Sequence, residues 1–371
     1  MSGHLSTNVI LAIATPISLL LCLFLLYLYH YNHLFCKRLT RHVRKRCTDI
    51  ASSLETGMIY GTETEGLITF SGGENLTVTN ILEAPGEVVG KSGHSTLYGA
   101  SVPVGPTGTN AVSVLLRFVR PGCAGKAEEI VPIVRMLGTI RHPNLVPLRA
   151  LYVGPRGEKL FVHPFYAAGT LARFLREGVD ETQKWDITCK ISIGIARGLD
   201  HLHNGLPKLV IHGNLKANNI LLDSNFQPRL ADFGLHLLLN QTASQEMLES
   251  AASNGYKPPE LMKMKDVCPK SDIFSFGVVL LEMLSPKEDS VRDGSVLASE
   301  ELHVPTNFKD LVLERKISDA FGTEILIKNS SGANEERMQM LFRLATACCS
   351  PSPVLRPDIK GVLRQLEEIC R

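Results

Sequence analysis

The sequence predicts an α+β protein with a β-rich first part and a larger, mainly helical second part, carried behind a single membrane-spanning helix. Three observations predict it: an uncharged apolar run from Val9 to Tyr29, short β-branched runs broken by Gly and Pro from Pro85 onward, and helical periodicity past Leu171. Composition agrees, because 44% hydrophobic and 20% charged residues over 371 positions describe a globular chain with a greasier piece added, and exclude disorder throughout.

The run Val9 to Tyr29 would span ~31 Å as a helix at 1.5 Å per residue, which matches a bilayer core. Pro16 is tolerated in such a helix, and Tyr27, Tyr29 and Tyr31 fall where an interfacial aromatic belt lies. A cleavable signal peptide needs basic residues before its apolar run, and here every Lys and Arg follows it. Lys37, Arg38, Arg41, Arg44, Lys45 and Arg46 supply six positive charges without an acid among them, so the net charge of +2 leaves the remainder of the chain at −4. One basic block beside an apolar run points to a membrane surface and away from nucleic acid, whose binders spread basic residues over a folded face. By the positive-inside rule, residues 1–8 lie outside a single-pass membrane protein, 9–35 form the transmembrane helix, and 36–85, a basic juxtamembrane segment and linker, lie on the cytoplasmic face, with the plasma membrane the expected location.

Nine cysteines are scattered without C-x-x-C spacing, which argues against a zinc site or a disulfide framework and for reduced thiols. Cys348-Cys349 reads as buried helix packing, and Cys36 and Cys47 flank the basic block as candidates for S-acylation. Residues 48–85 are rich in Ser, Thr, Gly and Glu and read as a linker leading to a docking strand, Leu67-Ile68-Thr69-Phe70 being its main apolar piece. Its sequon Asn75-Leu76-Thr77 never meets the glycosylation machinery if the topology is right.

Gly86 to Gly99 reads as a glycine-containing hairpin, with Gly90 and Gly93 in its turn followed by Ser95. Ala111 to Val119 is a strand by its β-branched and apolar content, and no Lys lies on it. Glu128 to Ile140 should be a helix that Pro132 shortens or delays, with Glu128 and Glu129 as solvated charges complementing its dipole. Leu160 to Tyr166 closes the β-rich part. Trp185 to His203 then places Ile187, Ile191, Ile195 and Leu199 near period four, a core helix. Two loops follow: Ile211-His212-Gly213-Asn214-Leu215-Lys216-Ala217-Asn218-Asn219, and Asp232-Phe233-Gly234. Beyond them lie Gly255-Tyr256-Lys257-Pro258-Pro259-Glu260, an apolar helix opening Ser271-Asp272-Ile273-Phe274, and Arg356-Pro357.

In that order and spacing these motifs resemble the protein kinases, whose catalytic loop H-R-D-x-K-x-x-N precedes D-F-G. Residues 86–370 resemble the cytoplasmic domain of a plant leucine-rich-repeat receptor-like kinase, nearest the transmembrane kinase-like, inactive members, here without the ectodomain. The resemblance implies a bilobal kinase-like domain over 86–371, with an N-lobe at 86–165 and a C-lobe at 166–371. It implies adenine contact by the backbone at Pro164 and Tyr166, with His163 as gatekeeper, and phosphate contact at Gly90 and Gly93. Arg117 falls where a phosphate-binding Lys belongs, a register slip putting Leu115 or Leu116 there instead. Ile133 falls where that Lys finds its Glu partner, Ser95 replaces the third glycine, and Asn214 stands at the catalytic base with Gly213 before it. Asp272, Glu260 and Arg356 are the family's structural parts.

An amide at Asn214 accepts a hydrogen bond but takes no proton near neutral pH. No intact catalytic set remains, although Lys216 is retained and Asn219 and Asp232 are metal-liganding types at the right spacing for Mg²⁺. Two readings of that pair stand: Mg²⁺ and ATP bound, or hydrogen bonds that hold the loops. Without the Arg at 213, phosphorylation of Thr242, Ser244 or Ser253 has no receiver. The resemblance therefore implies a membrane-anchored pseudokinase that scaffolds or allosterically partners other receptor kinases, with ATP and Mg²⁺ binding weak or absent. The alternative is a weakly active Ser/Thr kinase.

Overall fold

The structure, a computed structural model, describes residues 63–64, 66–104, 110–177, 181–262, 267–284 and 332–371. The proposed transmembrane helix and basic block lie outside them, and among the described residues no helix is long and apolar enough to cross a membrane.

Two lobes face each other across a cleft. The first contains β1 (Glu63–Thr64), β2 (Leu67–Thr69), α1 (Val78–Leu82), β3 (Gly86–Lys91), β4 (Ser95–Val104), β5 (Asn110–Val119), α2 (Ala127–Gly138), β6 (Ala150–Val153) and β7 (Lys159–Pro164). Its antiparallel sheet runs in the order β1-β2-β6-β7-β5-β4-β3. Period-two alternation on β5 divides its side chains. Val114 and Leu116 pack outward with Val162, Ile81 and Leu67, whereas Val119 and its neighbour Phe161 join the core shared with α2 and the second lobe. Arg117 lies on that inner face, opposite Leu97 on one side and Phe161 on the other.

The folded unit starts upstream of residue 86. β2 pairs with β6, Ile68 opposite Leu151, and the Phe70 ring lies on Gly138, where any Cβ would collide with it. Thr77 of the sequon caps α1 by accepting a hydrogen bond from the Asn80 N–H at 3.2 Å. The strand is only three residues long, too short for its alternation to stand out from a polar stretch. α2 neither starts late nor is cut short: it runs unbroken through Pro132, with Glu128 and Glu129 exposed in its first turn and Ile133 buried. Proline costs such a helix the one hydrogen bond to the carbonyl four residues back, here in its solvent-facing first turns.

The second lobe contains α3 (Leu171–Glu177), α4 (Glu181–Asp200), the hairpin β8 (Ile220–Leu222) and β9 (Pro228–Leu230), then α5 (Gln241–Ser253), α6 (Pro269–Leu284), α7 (Gly332–Cys348) and α8 (Ile359–Ile369). Every residue of α6 from Ser271 to Leu284 is buried. Gly277 lets α7 approach, since a Cβ there would meet Cys348 Cβ and Cys349 Sγ at 2.7 Å each. One cysteine reading needs correction. Cys189 on α4 and Cys370 after α8 form a disulfide, 181 residues apart in sequence, so they are not among the reduced thiols. No local spacing could announce it, because packing of α8 against α4 brings the two sulfurs together.

Candidate functional site

The loop at 212–219 is held by α6 from below. Asp272 accepts hydrogen bonds from His212 N–H (2.8 Å), Gly213 N–H (2.9 Å) and His203 Nε2 (2.9 Å). Burial works to raise the Asp272 pKa, but the hydrogen bonds from His203 and the loop backbone outweigh it and hold the carboxyl below its ordinary range. Gly213 has φ 75°, and a side chain there would also strike the His236 ring. Glycine in the left-handed region is therefore a requirement of this turn. Asn219 Nδ2 donates to the Asn214 carbonyl at 2.8 Å, closing the loop on itself.

Asn214 is buried. Beside it lies α5, whose Ala243, Met247, Leu248 and Ala251 are buried. A cavity of ≈ 20 Å³ between them is lined by Asn214, Leu248, Ala251, Tyr256 and Lys257. The α5 N-terminus is strapped to the other lobe. Asn240 caps the helix at Ala243 N–H, its Nδ2 donates to Gly122 O and its N–H donates to Cys123 O, while Gly125 N–H donates to Leu238 O. Tyr256 links the same loop to α6, accepting from Ala217 N–H at 3.4 Å and donating to Glu282 Oε1 at 2.5 Å. Burial pushes the Glu282 carboxyl up to about 8 against the effect of that bond.

Above the loop, Arg117 extends from its strand into the cleft. Arg117, and neither Leu115 nor Leu116, reaches the Asp232 carboxylate, with Nη2 bonded to Oδ1 and Nη1 donating to Ser95 Oγ at 3.0 Å. Asp232 has φ 64°, a left-handed turn that non-glycine residues seldom adopt. Burial works to raise its pKa, and the Arg117 guanidinium together with His163, His212 and His94 outweighs this and holds the carboxyl below its ordinary range. His94 folds inward from the hairpin tip, buried near Arg117, Asp232 and Lys216, and burial with the Arg117 charge takes its pKa down to about 4. His163 behaves likewise, lowered to about 4 by burial first and Arg117 second, its Nδ1 lying 3.2 Å from Pro147 O. Both rings are neutral at pH 7. Behind them a mainly apolar cavity of ≈ 40 Å³ separates Arg117 and His163 from Leu137, Phe161 and Phe233.

The remaining expected site residues are dispersed around this core. Gly90 lies under Leu97, and Gly93 lies toward Glu246 of α5. Pro164 ends β7, Tyr166 O accepts from Gly169 N–H at 3.2 Å, and the Tyr166 ring carries the Arg229 guanidinium 5.2 Å from its centroid. Lys216 is half-buried near His94. Below, Arg356 grips Glu260 with two hydrogen bonds at 2.6 and 2.8 Å. Motif reading misses four participants: His94, the Ser95 hydroxyl as an Arg117 partner, the Asn240 strap and the Tyr256–Glu282 bond. The available signal was that Ser95 and Arg117 depart from the kinase pattern together, as a compensating pair would.

As they stand, these residues do not fit a divalent cation with a nucleotide. The metal-type carboxylate oxygen of Asp232 is bonded to a guanidinium, Ser95 holds the other arm of the same fork, and His94 fills the space beneath the hairpin.

Comparison with known proteins identifies the family. Residues 86–366 match the family model described as protein tyrosine and serine/threonine kinase. The kinase-like protein TMKL1 of Arabidopsis thaliana is 39% identical over 306 residues, covering 81% of this chain and 44% of its own length. A second Arabidopsis relative, named a probable inactive receptor kinase, is 33% identical over 312 residues, covering 83% of this chain and 46% of its own. The chain thus spans less than half the length of these curated relatives. Among solved structures, the maize SIRK1 kinase domain bound to AMP-PNP is 28% identical, with a TM-score of 0.65, and covers 82% of this chain and 100% of that domain. With its motifs in family order on a two-lobed fold, the chain belongs to the protein tyrosine and serine/threonine kinases, with receptor-like and kinase-like relatives in Arabidopsis.

Proposed function

We propose that this protein is a receptor-like pseudokinase, anchored in a membrane by the apolar run at 9–35 and serving as a scaffold or allosteric partner of active receptor kinases. The observation that carries the reading is the Arg117–Asp232 ion pair, which spends on each other the two charges that a kinase turns toward phosphate and metal. Three further departures support it. Asn214 lacks a carboxylate for the hydroxyl proton, a group worth ~10²- to 10⁴-fold in rate. Ile133 is a buried apolar residue where an ion-pairing Glu belongs, and α5 lies beside the loop, its Leu248 and Ala251 lining one small cavity with Asn214. The name of the inactive Arabidopsis relative points the same way.

A nucleotide without a divalent ion stays compatible with this reading, given the likeness to a domain solved with AMP-PNP. Partner docking and membrane attachment are inferred from the receptor-like relatives, the apolar run and the basic block at 37–46. The test is transfer from labelled ATP by the full chain in detergent with Mg²⁺ or Mn²⁺. No label should enter the protein or a generic Ser/Thr substrate, and Asn214→Asp should not rescue transfer. Autophosphorylation that Asp232→Ala abolishes would establish the weakly active kinase instead. Deleting residues 9–29 should release the protein from carbonate-washed membranes; retention would remove the anchor from this reading.

A further inference from the structure

The geometry points to Arg117 as a resident cation of the cleft, holding the two lobes together through Asp232 in place of a metal-bound nucleotide, so that the cleft takes no divalent ion. This deepens the non-catalytic reading and can fail independently of it, since transfer is read from label and cation dependence from melting.

A buried carboxylate needs a positive partner. In the kinase pattern that partner at Asp232 is a metal ion, and Asn219 supplies a second ligand to it. Here Arg117 arrives from β5 in one lobe and bonds Asp232 in the other, so a single side chain supplies both the charge and the bridge. Its fork is fully committed, with the second arm donating to Ser95 Oγ, and Ser95 in turn lies 3.1 Å from Ser92 Oγ. The substitution of the third glycine therefore has a structural use. A Lys could not do this, because an ammonium is a point donor and lacks the planar fork that spans two acceptors. Asp232 presents its carboxylate to this partner from a left-handed backbone, φ 64°.

The groups facing the pair leave no place for more positive charge. Arg117 and Lys216 supply positive charge beside the pair and the neutral His94 and His163 rings lie against it, so a second cation at Asp232 would meet like charges. A divalent ion at Asp232 would sit beside a guanidinium that has nowhere to go, since Arg117 is itself buried. Asn219 donates Nδ2 to the Asn214 carbonyl, and its Oδ1 without an available Asp232 carboxylate makes a poor site for a divalent ion. Closure is reinforced at the rim, where Asn240 and Leu238 bond the loop at 122–125, so neither contact between the lobes passes through a ligand.

The experiment is thermal melting of the full-length protein in four conditions: no addition, ATP with EDTA, ATP with MgCl₂, and MnCl₂ alone. The wild type should show no cation-dependent change in Tm, with or without ATP. Arg117→Met, which keeps an unbranched apolar stem but not the charge, frees Asp232 and should gain a rise with ATP and Mg²⁺ on the order of 5 °C at a hundredfold excess over Kd. Arg117→Lys should gain in the same direction if the Met variant does not fold. The inference is overturned by a wild-type rise that requires the cation and disappears in Asp232→Asn. It is equally overturned by an Arg117 variant that melts cooperatively yet gains no cation dependence. The wild-type arm decides the matter even if neither Arg117 variant folds.

Discussion

Glu282 and the two inward histidines set opposing limbs of the stability curve. The unfolded chain protonates His94 and His163 near 6.5 whereas the folded protein resists until about 4, so stability present at neutral pH is lost as pH falls from 6.5 toward 4. Each shift corresponds to ~3 kcal/mol at most. Glu282 works the other way: its folded-state pKa is raised from 4.5 to about 8, so its contribution is full below 4.5 and drains away as pH climbs to 8. A maximum near pH 6 is expected. Glu282→Gln should remove the alkaline limb, so that Tm falls between pH 6.5 and 8 in the wild type and stays level in the variant; superimposable profiles would show that Glu282 does not titrate there. At this scale the sequence is informative where a residue has a fixed role in a motif. Asp272, Glu260 and Arg356 can be picked out because their partners are loop backbone or each other. Glu282, Tyr256 and His94 cannot, because a pKa is set by what surrounds a group, and that surrounding comes from three different elements.

Among the elements, α5 has the largest consequence for function. Its inward residues Ala243, Met247, Leu248 and Ala251 follow a helical period behind the Asn240 cap, yet it lies between two recognised motifs, and a reading by motif passes over it. Thr242 and Ser253 are exposed on this helix and Ser244 is half-buried, so the candidate phosphorylation positions sit on an ordered strap. Asn240→Ala removes the cap, worth ~1 kcal/mol, together with the bond to Gly122. Faster amide exchange across 241–253 and faster alkylation of the half-buried Cys123 should follow, with α6 unchanged; unaltered exchange in 241–253 would mean that core packing alone holds the strap. α2 teaches a complementary lesson. Pro132 argues for a short helix by local rule, but burial of Ile130, Ile133, Val134 and Leu137 against the shared core outweighs one missing hydrogen bond.

For the whole molecule, the Cys189–Cys370 bond closes a loop of 181 residues around the second lobe. On the chain-entropy account such a crosslink stabilises by up to ~5 kcal/mol, less whatever the native geometry gives back. Dithiothreitol should therefore lower the wild-type Tm and leave Cys189→Ser, already lower, unchanged. A reductant-insensitive wild type would mean that the pair is not bonded in solution. The lower lobe keeps its other ties in either state, including the Glu260–Arg356 pair and the Arg197–Glu367 contact at 2.9 Å between α4 and α8.

The sequence by itself determined the two-part α+β order and the kinase family, and it supplied the proposal that Asn214 stands at the catalytic base, because each is written in consecutive residues at fixed spacing. Only the tertiary structure decided that Arg117 is bonded to Asp232, 115 positions away, that α5 shares a cavity with Asn214, and that Cys189 meets Cys370. The physical reason is the same for all three. Periodicity and motif spacing are local properties of a chain, whereas the partner of a buried charge or thiol is chosen by how whole lobes and helices pack.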